Sequence, residues 1–116
     1  MFVPVVPCRL VDTRAADQVG DRGTPLGEGD TFVVAARGAQ GNCSASDLPT
    51  NAVAIGLNVT AVGATAPTFL SITPDGSTDS SSLNPVPGPP PPPNAVSVRV
   101  DTEGAFRVFN RFGQVD

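Results

Sequence analysis

The feature that most constrains the fold is an alternation of bulky apolar residues with small or polar ones across residues 52–62. Val53, Ile55, Leu57 and Val59 share one parity, and small or polar residues occupy the positions between them. A period of two places alternate side chains on opposite faces of a β-strand. The segment is therefore predicted to be a strand with one apolar face, and its length favours a central position in a sheet.

Shorter segments with the same alternation recur along the chain, and no segment has a sustained helical period. Turn-forming residues separate these segments, and residues 101–104 (DTEG) are predicted to form a hairpin loop. Strands at this spacing predict an all-β fold, a β-sandwich that is immunoglobulin-like in the broad sense, with about six to eight strands. The further predicted strands are residues 8–12, 31–36, 68–73, 81–84, 95–101 and 105–110.

The length of 116 residues predicts a single module over residues 1–116. The chain contains 12 Gly and 13 Pro, which suits a loop-rich β protein. Residues 85–93 are Pro-rich and are predicted to be a rigid polyproline II surface connection between two strands. The alternative is that this run is a docking ligand for an aromatic-lined groove.

The composition excludes several classes of function. The chain has no His, Lys, Trp or Tyr, which removes Ser-His and Cys-His nucleophiles, Schiff-base lysines and His-containing metal sites. We therefore predict that the protein is not an enzyme and needs no cofactor. The net charge of −4 disfavours nucleic acid as a partner. No apolar run reaches the length of a membrane span, so membrane insertion is not expected either.

Cys8 and Cys43 are too far apart for a CxxC motif and too few for a zinc site without His. A disulfide is the favoured interpretation, and two buried free thiols are the alternative. A disulfide implies an oxidising compartment and favours an extracellular or cell-surface location. The N-terminal residues lack the pattern of a signal peptide.

Several of these segments resemble a known module. Residues 7–14 (PCRLVDTR) are similar to the P-x-R-L-x-D-T-R opening of a β-sandwich repeat found in secreted and cell-surface proteins of actinobacteria-like bacteria. Residues 51–60 (NAVAIGLNVT) match its N-A-V-x-x-x-L-N-V-T strand, and residues 108–110 resemble its V-x-x-Y-N arm. The resemblance implies a sandwich with a structural, adhesive or display role.

The repeat continues after that arm into a further strand, which would begin at residues 114–116. The resemblance therefore implies that the sandwich lacks a final strand. A missing strand leaves an open sheet edge that invites pairing with another chain.

Three groups of residues are candidate sites. Arg9, Asp12 and Arg14 are predicted to form a structural charge network, with a ligand site as the alternative. Asp75 and Asp79 are a weak calcium candidate, because their spacing does not fit a calcium loop. The Phe-rich tail is a candidate interface, because its three aromatic residues cannot all face the core; these are Phe106, Phe109 and Phe112.

We therefore expect a non-catalytic extracellular module that acts through strand edges and loops, as a surface-protein repeat or a filament subunit. Its expected partners are copies of itself or neighbouring repeats. One alternative is a carbohydrate-binding or adhesion module that contacts surface polysaccharide. The other is a virion or capsid decoration protein.

Overall fold

The computed structural model describes residues 2–116, which form two antiparallel sheets. The first sheet has the strand order β1-β5-β3, and the second pairs β2 with β4. A short 3-10 turn, Ala15–Asp17, precedes the first strand. The strands are β1 (Thr31–Ala35), β2 (Ala54–Thr60), β3 (Leu70–Thr73), β4 (Pro93–Arg99) and β5 (Ala105–Asn110).

The two sheets pack face to face through the apolar faces of their strands. One buried cluster combines Val34 of β1, Ile72 of β3, Val98 of β4 and Phe106 of β5, with Ala36 beside them. Both sheets therefore contribute to one core, which confirms the predicted all-β sandwich class. In residues 2–116 there is no helix long and apolar enough to cross a membrane.

The strand positions follow the predicted alternation, but the strand count is lower than expected. Five strands are present in the described residues, where about six to eight were predicted. Residues 8–12 contribute only the bridge between Asp12 and Val19, and residues 81–84 contribute only the bridge between Leu70 and Leu83. Both segments are too short and too interrupted to continue a ladder.

Two predictions about connectivity are wrong. β2 is not central, because within residues 2–116 its only strand partner is β4. Residues 101–104 do form a turn, in which Gly104 donates to the carbonyl of Asp101 at 3.0 Å. That turn does not close a hairpin, because β4 and β5 belong to different sheets. Local turn chemistry fixes the reversal of the chain but not which strands pair across it.

The Pro-rich segment connects the first sheet to β4 along the surface. Pro85 is buried and its carbonyl accepts a hydrogen bond from Thr68 N at 3.0 Å, whereas Val86 is exposed. At the other end the carbonyl of Pro92 accepts from Ala61 N at 3.2 Å, and Pro93 begins β4. The segment is therefore tied to the sandwich at both ends, as a connection between strands.

A buried amide at the end of β5 organises the loops at one end of the sandwich. The side chain of Asn110 is fully buried. Its Nδ2 group donates to the carbonyls of Leu26 (3.1 Å), Gly27 (3.1 Å) and Gly113 (2.9 Å), and its Oδ1 accepts from Thr68 Oγ1 at 2.8 Å. This one side chain joins segments that are far apart in the sequence.

The tail after β5 is held between two other segments. Val115 is almost fully buried and exchanges two backbone hydrogen bonds with Leu26, at 2.8 and 3.0 Å. Asp116 exchanges two with Val62, at 2.7 and 2.9 Å. The tail thereby extends the ladder of the second sheet towards Leu26.

A disulfide joins Cys8 to Cys43, with Cα atoms 5.2 Å apart, and confirms the favoured interpretation of the two cysteines. It closes the segment that includes β1 and several irregular loops. The bond indicates that the protein occupies a non-reducing environment.

We predict that Asn110→Ala lowers the free energy of unfolding by about 3 kcal/mol, because it leaves buried carbonyls and the Thr68 hydroxyl without their partner. Urea denaturation at neutral pH with the disulfide intact measures the effect. Asn51→Ala is the matched control, since Asn51 is exposed, and it should change stability by less than about 0.5 kcal/mol. Equal losses in the two variants would contradict the role assigned to Asn110.

Reduction of the disulfide should lower stability by about 3–4 kcal/mol, because the unfolded chain regains the freedom of a loop of about 36 residues. The unfolded, unreduced protein should react with no alkylating reagent, and the reduced protein should gain two labels in intact mass. Alkylation without reductant would contradict the bond.

Candidate functional site: an open strand edge

The outer edge of β2 is the most distinctive feature of the surface. In an antiparallel ladder each residue directs its N–H and C=O to the same side, and successive residues alternate. Val53 O accepts from Val100 N at 3.0 Å, and Ala61 N donates to Pro92 O, so odd-numbered residues face the β4 side. The bonds of Val62 to Asp116 show that even-numbered residues face the other side.

The even-numbered residues of β2 therefore present unpaired backbone groups. Ala54, Gly56, Asn58 and Thr60 each direct an N–H and a C=O away from β4. Within the part of the chain that the structure describes, no backbone or side-chain group bonds to them. The backbone pairing between Val62 and Asp116 is therefore not continued by any described residue along β2.

The side chains next to this edge are apolar and incompletely covered. Ile55, Leu57 and Val59 pack against the core but stay only partly buried. A strand added at this edge would place its own side chains beside them. β2 contains no charged residue and no Pro, the two devices that usually protect a strand edge from pairing.

The outer edges of β3 and β4 are covered or protected. The edge of β3 is bonded to the segment of residues 82–83 through Leu70, at 2.7 and 2.8 Å. β1 is a shorter strand, and Leu10, Gly20 and Gly41 line a groove of about 60 Å³ along its outer side. The outward backbone groups of Thr31, Val33 and Ala35 make no hydrogen bond to the described residues. The outer edge of β4 carries Pro93, which has no N–H, and the charged Arg99. The edge of β2 is the long one without such protection.

The predicted charge network lies elsewhere, at the start of the chain. Asp12 accepts hydrogen bonds from Arg14 (2.7 and 3.0 Å) and from Arg9 (3.0 Å), and also from the backbone N–H of Arg14. The Arg14 hydrogen bond lowers the pKa of Asp12 to about 2, against the opposing effect of partial burial. The guanidiniums extend towards solvent, and this geometry is that of a clamp on the chain.

The turn at residues 101–104 was predicted from the sequence, but its charged network was not. Asp101 accepts from the guanidinium of Arg107 at 2.6 Å and from the N–H groups of Glu103 and Ala105, both at 2.9 Å. These bonds, that of Arg107 first, lower the pKa of Asp101 to about 2. The signal in the sequence was an Asp followed by Gly three residues later, which is typical of a turn.

The calcium candidates are engaged with a serine. Asp75 accepts from the backbone N–H of Ser77 at 3.0 Å, and Asp79 accepts from its hydroxyl at 3.4 Å. Across residues 2–116 no group of three or more acidic, His or Cys side chains is placed to hold a metal ion.

The three tail phenylalanines do not form one surface. Phe106 is buried in the core, and Phe109 packs against Phe69 with ring centroids 6.3 Å apart. Phe112 is 42% exposed and lies under the guanidinium of Arg111. The ring of Phe112 is therefore partly exposed, whereas those of Phe106 and Phe109 are packed against other residues.

Comparison with models of protein families, with curated proteins and with solved structures found no match. The functional argument therefore depends on the residues and geometry described above.

We predict that Asp12→Ala lowers the free energy of unfolding by about 1–2 kcal/mol at pH 7, because two guanidiniums lose their shared acceptor. Since the folded pKa of Asp12 is depressed to about 2, its contribution is present above about pH 4 and disappears as the pH falls through 2. Urea denaturation at pH 7 and at pH 2 tests both statements.

The control is Asp17→Ala, since Asp17 pairs with the same Arg14 at 3.6 Å but is mostly exposed. It should change stability by less than about 0.5 kcal/mol. A difference between wild type and Asp12→Ala that is as large at pH 2 as at pH 7 would contradict the electrostatic explanation.

Proposed function

We propose that this protein is a non-catalytic structural module that self-associates by strand addition to the open edge of β2. The main support for this proposal is the row of unpaired backbone groups on β2, in line with Val62, which already pairs with the tail. These groups belong to Ala54, Gly56, Asn58 and Thr60. A strand edge of this kind recognises another extended chain through main-chain hydrogen bonds. The module acts as a repeat or filament subunit.

The location that fits this role is extracellular or on a cell surface. The disulfide between Cys8 and Cys43 supports a non-reducing environment. The similarity of residues 7–14 and 51–60 to a repeat of secreted bacterial proteins supports the same location and role. The absence of His, Lys and Tyr from the sequence supports a function without catalysis.

Edge association is favoured over the carbohydrate-binding alternative by the surface aromatics. A sugar site needs a concave surface with planar side chains that stack on the ring. The well-exposed rings of residues 2–116 are Phe2 and Phe112, and Phe112 already lies against Arg111. A decoration protein would instead make symmetric contacts to a coat.

Light scattering over a range of protein concentrations tests the proposal, with Asn58→Pro as the diagnostic variant. The N–H of Asn58 points away from β4, so Pro removes a donor of the open edge and leaves the β2–β4 ladder intact. Wild type should gain mass with concentration, and the variant should associate about tenfold more weakly.

Ser97→Pro is the matched control, because the N–H of Ser97 points away from β2 on the protected edge of β4. It should associate within about twofold of wild type. A wild-type protein that remains monomeric at every concentration overturns the proposal, and so does an equal loss in the two Pro variants.

A further inference from the structure

The N-terminal segment, residues 2–6, is an apolar arm whose side chains are exposed to solvent. Phe2 and Val6 are 83% and 81% exposed, and Val3 and Val5 are also largely exposed. No hydrogen bond joins this arm to the other residues that the structure describes. Pro7 and the disulfide-bonded Cys8 follow it, so the base of the arm is fixed to the sandwich.

We propose that the N-terminal arm of one copy adds as a strand to the open β2 edge of a second copy. This inference rests on the proposed function and names the segment that fills the edge. Both surfaces are uncharged in a chain with 18 charged residues (7 basic and 11 acidic), so neither repels the other. The arm supplies apolar side chains and unpaired backbone groups, and the edge of β2 presents both.

The position of Pro4 selects the alignment of the arm. Pro has no N–H, so a strand tolerates it only where that group would point away from the partner. Since alternate residues share a direction, Val3 and Val5 then direct their N–H and C=O groups to β2. The opposite alignment would place the missing donor of Pro4 in the ladder.

The same alignment places the most exposed side chains of the arm over the core. Residues directly opposite in a ladder project to the same face. When the arm adds antiparallel to β2, Val3 and Val5 lie opposite the even-numbered residues to which they bond, so their side chains lie on the exposed face with Gly56 and its neighbours. Phe2, Pro4 and Val6 lie on the other face, beside Ile55, Leu57 and Val59. Backbone and side-chain requirements therefore select one alignment.

The space at β2 suits a close approach. A Cβ atom added to Gly56 would have no neighbour within 4 Å, so no residue in the described range 2–116 fills the exposed face there. Because the arm of one copy and the β2 edge of the next are different surfaces, the contact is head-to-tail. Repeated head-to-tail contacts give a ring where the rotation closes and a filament where it does not.

The test compares Val5→Pro with Val6→Pro by light scattering across a concentration series. The first variant removes an N–H that bonds to β2 in this alignment, and the second removes one that points away from it. Val5→Pro should weaken association about tenfold, and Val6→Pro should remain within about threefold of wild type. Both variants keep the fold, because the arm makes no hydrogen bond to the sandwich in the described chain.

A second pair of variants examines the side chains. Phe2→Asp places a charge over the partly buried face of β2 and should abolish association, whereas Val3→Asp places it on the exposed face and should weaken association less than threefold. Equal effects within either pair overturn the arm proposal.

The outcomes separate the two proposals. If Asn58→Pro weakens association and both arm pairs behave like wild type, the edge of β2 is used by a different segment and the arm proposal fails alone. If wild type is monomeric throughout, including the case in which the arm folds back on its own β2, both proposals fail.

Discussion

The hydrogen bonds of Asn110 are the interaction on which the rest of this structure depends. Its buried amide joins the end of β5 to Thr68 and to the carbonyls of Leu26 and Gly113. A buried amide must satisfy its donors and its acceptor, so these segments have little freedom to separate. Through Gly113 the amide also fixes the tail that carries Val115 into the core.

The open edge is a consequence of the same arrangement. The tail held by Asn110 pairs with Val62 and so begins a ladder beside β2, but along Ala54–Thr60 no described residue continues it. The chain therefore places apolar, partly buried side chains next to unpaired backbone groups on one strand. Pro93 and Arg99 protect the edge of β4, and a bonded segment covers that of β3, so β2 is the longest edge without such protection.

The ion pairs around Asp12 and Asp101 lie apart from the open edge of β2. The carboxylates of Asp12 and Asp101 each accept several hydrogen bonds, and the pKa of each is lowered to about 2. A carboxylate held in this state is a poor proton acceptor at neutral pH. The Asp101 network ties the turn of residues 101–104 to Arg107 of β5, whereas the Asp12 network holds the local conformation of residues 9–14.

The sequence by itself determined the five strands that form and the faces they bury, because side-chain alternation is a local property with a period of two. It also predicted strands at residues 8–12 and 81–84, which form only isolated bridges. It also indicated the disulfide, because the chain has only two cysteines to pair. The grouping of Arg9, Asp12 and Arg14 was predictable because these residues are close neighbours in the sequence. The sequence did not determine which strands pair, so β2 was expected at the centre of a sheet and residues 101–104 in a hairpin. Only the tertiary structure decided these, and it also revealed the role of Asn110, because pairing and burial depend on contacts between residues far apart in the chain.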